Sequence, residues 1–280
     1  MHWQTTRFSI DLTRPRVMGI VNITPDSFSD GGQHASTKAA LAHCEQLLKE
    51  GADILDLGAE SSRPGADAVP VADELARLLP VLREALRLQV PLSIDTYKTE
   101  VMRAALDLGA DIVNDIFALQ APGAEAAVAA HPACGICLMH AQGEPKSMQV
   151  APEYDDVVAE VRDFLAGRGA ALARRGVAAE RIVIDPGIGF GKTVAHNFAL
   201  LARQRELLSL GYPLLAGWSR KSSLGAVTGR PVGERLVASV AAALAAVQNG
   251  ARVLRVHDVT PTVDALKVWG AAGLIDGGGH

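Results

Sequence analysis

Short β-rich runs recur along the whole chain, and each is followed by a stretch rich in Ala, Leu and Arg that reads as helix. The runs fall at 17–22, 53–57, 92–95, 112–115, 136–140, 182–185, 214–217 and 252–256, which makes eight strands. Helices are expected between and after them at about 37–50, 72–88, 99–108, 123–130, 154–175, 196–210, 233–249 and 261–270. Gly51, Gly109, Gly176, Gly211 and Gly250 stand where these helices should end, and glycine ends a helix in the left-handed conformation at no Cβ cost. Strands that alternate with helices must pair in parallel through helical crossovers. Eight such units without repeated sequence are expected to close into a (β/α)8 barrel of the TIM type, an open doubly wound sheet being the alternative. Residues 1–16, with RFSIDL, are expected to add a short strand or hairpin that closes the N-terminal mouth, the bottom of the barrel.

A chain of 280 residues suits one barrel domain over 1–280, with 1–16 as an extension and 276–280 as a flexible tail. The 27 basic and 31 acidic residues leave a net charge of −4, which argues against a nucleic-acid surface. The longest nearly apolar stretch, 236–247, falls short of the ~20 residues that cross a bilayer. Residues 1–16 carry charges where a signal peptide would be apolar. No membrane partner and a cytoplasmic location are therefore expected. The three cysteines cannot all pair and do not form a disulfide framework.

Barrel enzymes carry their chemistry on the C-terminal ends of the strands. Here the strands run into Asn22, Asp56 with Glu60, Asp95, Asn114 with Asp115, His140, Asp185, then Ser219, Arg220 and Lys221, and finally Arg255 with His257. Any one of these is explained as a helix cap; eight together point to a site. Arg255 and His257 are two apart on a strand and so share a face, where together they suit an anion. Arg63, in SSRPGA after the second strand, has the same potential or is a solvated surface Arg. These groups around one mouth, with Asn22 as an oxygen ligand for Mg²⁺, suit a diphosphate better than a single carboxylate.

Asp95, Asn114 and Asp185 end the third, fourth and sixth strands as a carboxylate–amide–carboxylate set. Such a set accepts hydrogen bonds from a flat heterocycle with a guanidine-like edge, as in a pterin or guanine. Glycoside hydrolysis is the competing use of two carboxylates. The segment DPGIGFGKT, 185–193, is not a triphosphate loop, because Gly187 and Gly191 enclose three residues rather than four. Lys221, in WSRKSS, is placed to donate to a ring oxygen or nitrogen, and Arg220 should point elsewhere. The spacing of His131, Cys134, Cys137 and His140 suggests zinc. On a strand, however, Cys137 and His140 lie ~10 Å apart and face opposite sides, so both cysteines are expected to be buried thiols.

Taken together, MGIVNITPDSFSDGG, ESSRPGA, SIDTYK, VNDI, MHAQGEP, DPGIGFGK, SRKS and RVHD closely resemble the dihydropteroate synthase family, in that family's order, over about residues 17–260. The resemblance implies a (β/α)8 barrel enzyme that joins 7,8-dihydropterin-6-ylmethyl diphosphate to 4-aminobenzoate with release of diphosphate. It implies that Asp95, Asn114, Asp185 and Lys221 hold the pterin, with Arg255 stacking over it. Asn22, Arg63, Arg255 and His257 would bind the diphosphate, with Mg²⁺ on Asn22. The first loop, with Phe28 and Asp30, and the second, with Ser62 and Pro64, would close over the site. Phe28, Ser62, Pro64, Phe190, Lys221 and Ser222 would form the aminobenzoate pocket, and Asn22, Arg63, Lys221, Arg255 and His257 would carry catalysis. Ser62 stands where the family commonly has Thr, which keeps the hydroxyl. A homodimer through the last helices is also implied. A pterin-binding methyltransferase and a non-catalytic pterin-binding paralogue would share part of these residues.

Overall fold

The computed structural model describes residues 1–23, 32–61, 67–143 and 152–275, with backbone alone at 32–35. Two antiparallel strands, β1 (His2–Gln4) and β2 (Ser9–Asp11), form a hairpin. Then come β3 (Arg16–Asn22), α1 (Gly32–Lys49), β4 (Ile54–Gly58), α2 (Val71–Ala85), β5 (Leu92–Asp95), α3 (Thr99–Leu108), β6 (Ile112–Asp115) and α4 (Ala124–Ala130). The second half runs through β7 (Gly135–Met139), α5 (Val157–Arg174), β8 (Ile182–Asp185), α6 (Val194–Ala202), β9 (Leu214–Ala216), α7 (Ser222–Thr228), α8 (Leu236–Gln248), β10 (Ala251–Val256) and α9 (Val259–Ala271). Strands β3 to β10 pair in parallel in chain order, and β10 returns to β3, so the sheet is a closed barrel rather than an open one.

Each strand sorts its residues by the two-residue period. Outward-facing Val17, Leu55, Ile94, Val113, Leu138 and Ile184 pack with the helices in one large core. Inward-facing Met18, Ile54, Ile112, Cys137, Val183, Leu215 and Val253 form a second, inner cluster. The hairpin adds Trp3, Ile10 and Leu12 to that inner cluster and so closes the bottom of the barrel. Trp3 keeps its indole N–H satisfied there by donating to the Arg181 carbonyl at 3.0 Å. Arg7, between the hairpin strands, pairs with the buried Asp111 at 2.6 Å, which fixes the hairpin against β6. An apolar floor of this kind leaves only the opposite mouth for polar chemistry.

The five glycines expected at helix ends all have positive φ, from 79° at Gly211 to 112° at Gly109. Helix α1 starts five residues before the expected 37, α2 ends at Ala85 and α8 starts at Leu236, and three further differences have identifiable causes. The helix expected from 154 starts at Val157, because Asp156 caps it by accepting from the Val158 and Ala159 N–H groups. The helix expected over 196–210 spans Val194–Ala202 and passes into a 3-10 segment, Gln204–Leu210, where the buried Gln204 amide donates to the Ala246 and Asn249 carbonyls. Between β9 and the helix expected at 233, α7 is an additional element. Its Gly225 lies against the Arg235 guanidinium, which donates to the Arg220 and Arg230 carbonyls and packs the turn. No described helix is long and apolar enough to cross a membrane. The tail 276–280 lies outside the described residues.

Candidate active site

One step above the apolar floor, the inward positions change character. Asp56 on β4, Asp95 on β5, Asn114 on β6, Asp185 on β8 and Arg255 on β10 project into the same space. The Arg255 guanidinium bridges two carboxylates, its Nε donating to Asp56 Oδ2 and its Nη2 to Asp95 Oδ2, each at 2.6 Å. Asn114 Nδ2 donates to the same Asp56 oxygen at 3.2 Å, which turns the amide oxygen the other way. Asp56 is fully buried, and its Oδ1 has no hydrogen-bond partner. Asp185 Oδ1 accepts from the Gly187 N–H at 2.7 Å. Gly58 and Gly217 stand at the ends of β4 and β9, where a Cβ would meet the carboxylates of Asp95 and Asp185.

Burial pushes the Asp95 carboxyl up to about 7, with the Asp56 and Asp115 charges adding and Arg255 pulling the other way. Burial also raises Asp185, against the Gly187 N–H bond and the charges of Lys221, Arg255 and Lys192. Two desolvated carboxyls that face two cations form a site poised to exchange partners with a ligand.

Lys221 stands at the start of α7, and its Nζ lies 4.2 Å from the centroid of the Phe190 ring, within cation–π reach. Phe190 is buried with Ile116 and Met139, and these make an apolar wall beside the polar layer. Ser222, the first residue of α7, is exposed. At the rim, Asn22 ends β3 exposed, and His257 follows β10 with its Nδ1 3.0 Å from Ser219 Oγ. Phe28, Asp30, Ser62, Arg63 and Pro64 lie outside the described residues.

Several polar strand ends serve the scaffold. Asp115 caps a turn by accepting from the Phe117 and Leu119 N–H groups. Arg220 pairs outward with Asp258, as expected. Glu60 accepts from the Tyr97 hydroxyl and the Val69 N–H and pairs with Lys98, which also holds the buried Glu74 at 2.6 Å. His140 meets Lys192 rather than the polar layer. Cys134 lies in the outer core and Cys137 in the inner cluster, both as buried thiols. Sequence reasoning names Asp56 only as a polar strand end, without a role in the site, and does not single out Lys192. The two-residue period from Ile54 through Asp56 to Gly58 was the available signal for Asp56.

A profile of the family described as pterin binding enzyme matches residues 18–257. The dihydropteroate synthase of Neisseria meningitidis serogroup B is 54% identical over 278 residues, 97% of this chain and 98% of that protein. The Xanthomonas albilineans dihydropteroate synthase structure with 4-aminobenzoic acid superposes with a TM-score of 0.90 at 51% identity, covering 98% of this chain and 99% of that one. The Burkholderia cenocepacia dihydropteroate synthase structure complexed with 7,8-dihydropteroate does so with a TM-score of 0.89 at 52% identity, covering 97% and 96%.

Proposed function

The chain belongs to the pterin binding enzyme family, and on that premise we infer that it is a dihydropteroate synthase, which condenses 7,8-dihydropterin-6-ylmethyl diphosphate with 4-aminobenzoate to give 7,8-dihydropteroate and diphosphate. The observation that carries this reading is the convergence of Asp95, Asn114, Asp185 and Arg255 one layer above the apolar floor. In the proposed division of labour, the two carboxylates and the Asn114 amide oxygen accept the N–H groups of the pterin edge, and Lys221 donates to a ring acceptor. Arg255 leaves one carboxylate to cover the ring and meet the diphosphate, joined at the rim by Arg63, His257 and Asn22.

The C–O bond to the diphosphate breaks, the electron-rich dihydropterin stabilises the positive charge on the methylene, and the arylamine nitrogen attacks that carbon and then loses a proton. This chemistry asks for stabilisation of the leaving diphosphate charge and exclusion of water, so it needs no nucleophilic side chain. For the 4-aminobenzoate we propose Phe190, Lys221 and Ser222 together with Phe28, Ser62 and Pro64, and we propose Asp30 for closing the first loop.

Mg²⁺ belongs to this reading. Asn22 offers one exposed amide oxygen, a donor set that fits a cation coordinated mostly by substrate phosphates and water. When bound, Mg²⁺ would neutralise charge on the leaving diphosphate. We also propose a homodimer through the last helices, supported by exposed Val227, Val232, Val237 and Val268, which are 58–81% accessible on and between α7, α8 and α9. A cytoplasmic location is supported by the three buried free thiols. The reaction is tested by incubating the purified protein with the pterin diphosphate, Mg²⁺ and 4-aminobenzoate and following dihydropteroate. Product that depends on both organic substrates is expected, and its absence would overturn the reading.

A further inference from the structure

Lys192 is 3% exposed, yet its ammonium ends among backbone carbonyls rather than on a carboxylate. Nζ donates toward the carbonyls of Gly187 and Phe190 at 3.0 Å and of His140 at 3.2 Å, and lies 2.9 Å from His140 Nδ1. Burial, with the Lys192 charge adding, lowers His140 to about 3, so the ring is neutral, and the tautomer protonated on Nε2 leaves Nδ1 to accept from Lys192. Burial lowers the Lys192 ammonium to about 7, with the Asp185 charge holding it up, and in the protonated form its three N–H donors meet four acceptors. A site that needed only to fill space would hold Met or Leu, because a buried ammonium is costly unless every donor is satisfied.

The turn it grips runs from β8 to α6 and carries three glycines of positive φ, Gly187, Gly189 and Gly191. A Cβ at Gly187 would strike the His140 carbonyl, and one at Gly191 the Gln142 carbonyl, so the turn lies directly on the end of β7. Glycines let the chain lie that close, but they leave the turn little stiffness of its own. Stiffness comes from two sides. Asn197 accepts from the Gly189 N–H at 2.9 Å and donates to Ser223 in α7 at 2.8 Å. Lys192 holds the two carbonyls on the other side. Those carbonyls belong to residues wired into the pocket: the Gly187 N–H orients Asp185, and the Phe190 ring lies beneath Lys221.

We propose that Lys192 is a positioning residue for this active site: its ammonium, gathered by the carbonyls of His140, Gly187 and Phe190, locks the turn that presents Asp185 to the pterin and Phe190 to the arylamine. The inference rests on the dihydropteroate synthase reading and adds a residue that touches neither substrate.

Lys192→Met keeps the length and removes the donors. It should weaken the calorimetric affinity for 6-hydroxymethylpterin about tenfold and raise the KM for 4-aminobenzoate by about as much, since small misplacements of pocket groups cost this order. In Lys192→Ala, propylammonium should restore at least about a third of the lost kcat/KM, where sodium at equal ionic strength restores none. A lower melting temperature with both constants unchanged would show a purely structural lysine and overturn the proposal. If Lys192→Met does not fold, His140→Phe decides: it removes one acceptor while keeping a ring against Phe164, now 4.9 Å away. Roughly threefold shifts in the same two constants support the proposal, and unchanged constants overturn it. Wild-type turnover in the same assay separates the cases, because its absence strikes at the reaction itself rather than at Lys192.

Discussion

Replacing Asp56 by Asn changes one atom in the polar layer and tests its electrostatics directly. Asp56 Oδ2 accepts from both Arg255 Nε, at 2.6 Å, and Asn114 Nδ2, at 3.2 Å. The Asn oxygen can keep both bonds, so the fold should survive. The Arg255 bond loses its charge-assisted part, worth about 1–1.5 kcal/mol, and a guanidinium held less firmly for the ligand should lower pterin affinity by up to about tenfold. A second effect has a distinct signature. The Asp56 charge helps hold the Asp95 carboxyl up at about 7. Without that charge the Asp95 carboxyl should ionise at a lower pH, with burial still holding it above the ordinary carboxylate range. The proposed reading uses Asp95 as an acceptor for the pterin, so in the wild type affinity should rise with pH through about 7 and level off above it. In Asp56→Asn that midpoint should move to lower pH while the plateau falls. Calorimetric titration of 6-hydroxymethylpterin between about pH 5.5 and 9 reads both quantities. A midpoint that stays put would refute the charge coupling between Asp56 and Asp95. A plateau loss beyond about a hundredfold would mean that Asp56 contacts the ligand itself.

Asp185→Asn should weaken pterin binding by about 2–3 kcal/mol in a folded protein, as a charge-assisted bond at a buried site is lost; unchanged calorimetric affinity would remove Asp185 from the pocket. Lys98→Met leaves Glu60 and the fully buried Glu74 facing each other, and should cost about 3–5 kcal/mol of stability at pH 8. Burial already raises the Glu74 pKa, so this loss should shrink as the pH falls and Glu74 takes a proton; thermal melts across pH that show a constant loss would contradict this. Val237→Glu, at a side chain 81% exposed on α8, should shift a dimer to monomer in sedimentation with the melting temperature of the monomer preserved; an unchanged mass would move the proposed interface elsewhere.

The barrel was legible because its signals are local. Strands β5, β6 and β8 match the sequence reading to the residue, since each is a short apolar-rich run with Ile or Val that stops at an acid. Helix α7 was not legible, because SSLGAVT contains Gly225, two β-branched residues and only seven positions. Its support comes from Arg235, a tertiary contact that no local propensity records. The same division runs through the site. That Asp95, Asn114 and Asp185 point inward follows from the strand period. That Asp56 and Asp95 share one guanidinium depends on β10 closing against β3, which joins residues 199 apart in the chain. Asp115 reads like its neighbour Asn114 in sequence but faces the other side and caps a turn. Lys192 stands in a motif that resembles a phosphate loop, and nothing local says that its partners are carbonyls of its own turn.

On the proposed reading, the arrangement gives a reason for pterin and diphosphate to be recognised as one ligand. Among the described residues the polar layer sets three carboxylates, Asp56, Asp95 and Asp185, against Arg255 and Lys221. Arg255 spans two of the three, so each of its strong bonds ends on a group with another use. A pterin alone would have to take Asp95 from Arg255 and leave part of the guanidinium unsatisfied in a buried place, which is costly. A diphosphate arriving at the rim offers that guanidinium a replacement anion, and the freed Asp95 can turn to the pterin N–H. Asp56, which has no competing ligand in this scheme, stays with Arg255 and keeps it within reach of both partners. The exchange keeps two charged hydrogen bonds on Arg255 while moving one of them toward the leaving group, where charge develops as the C–O bond breaks.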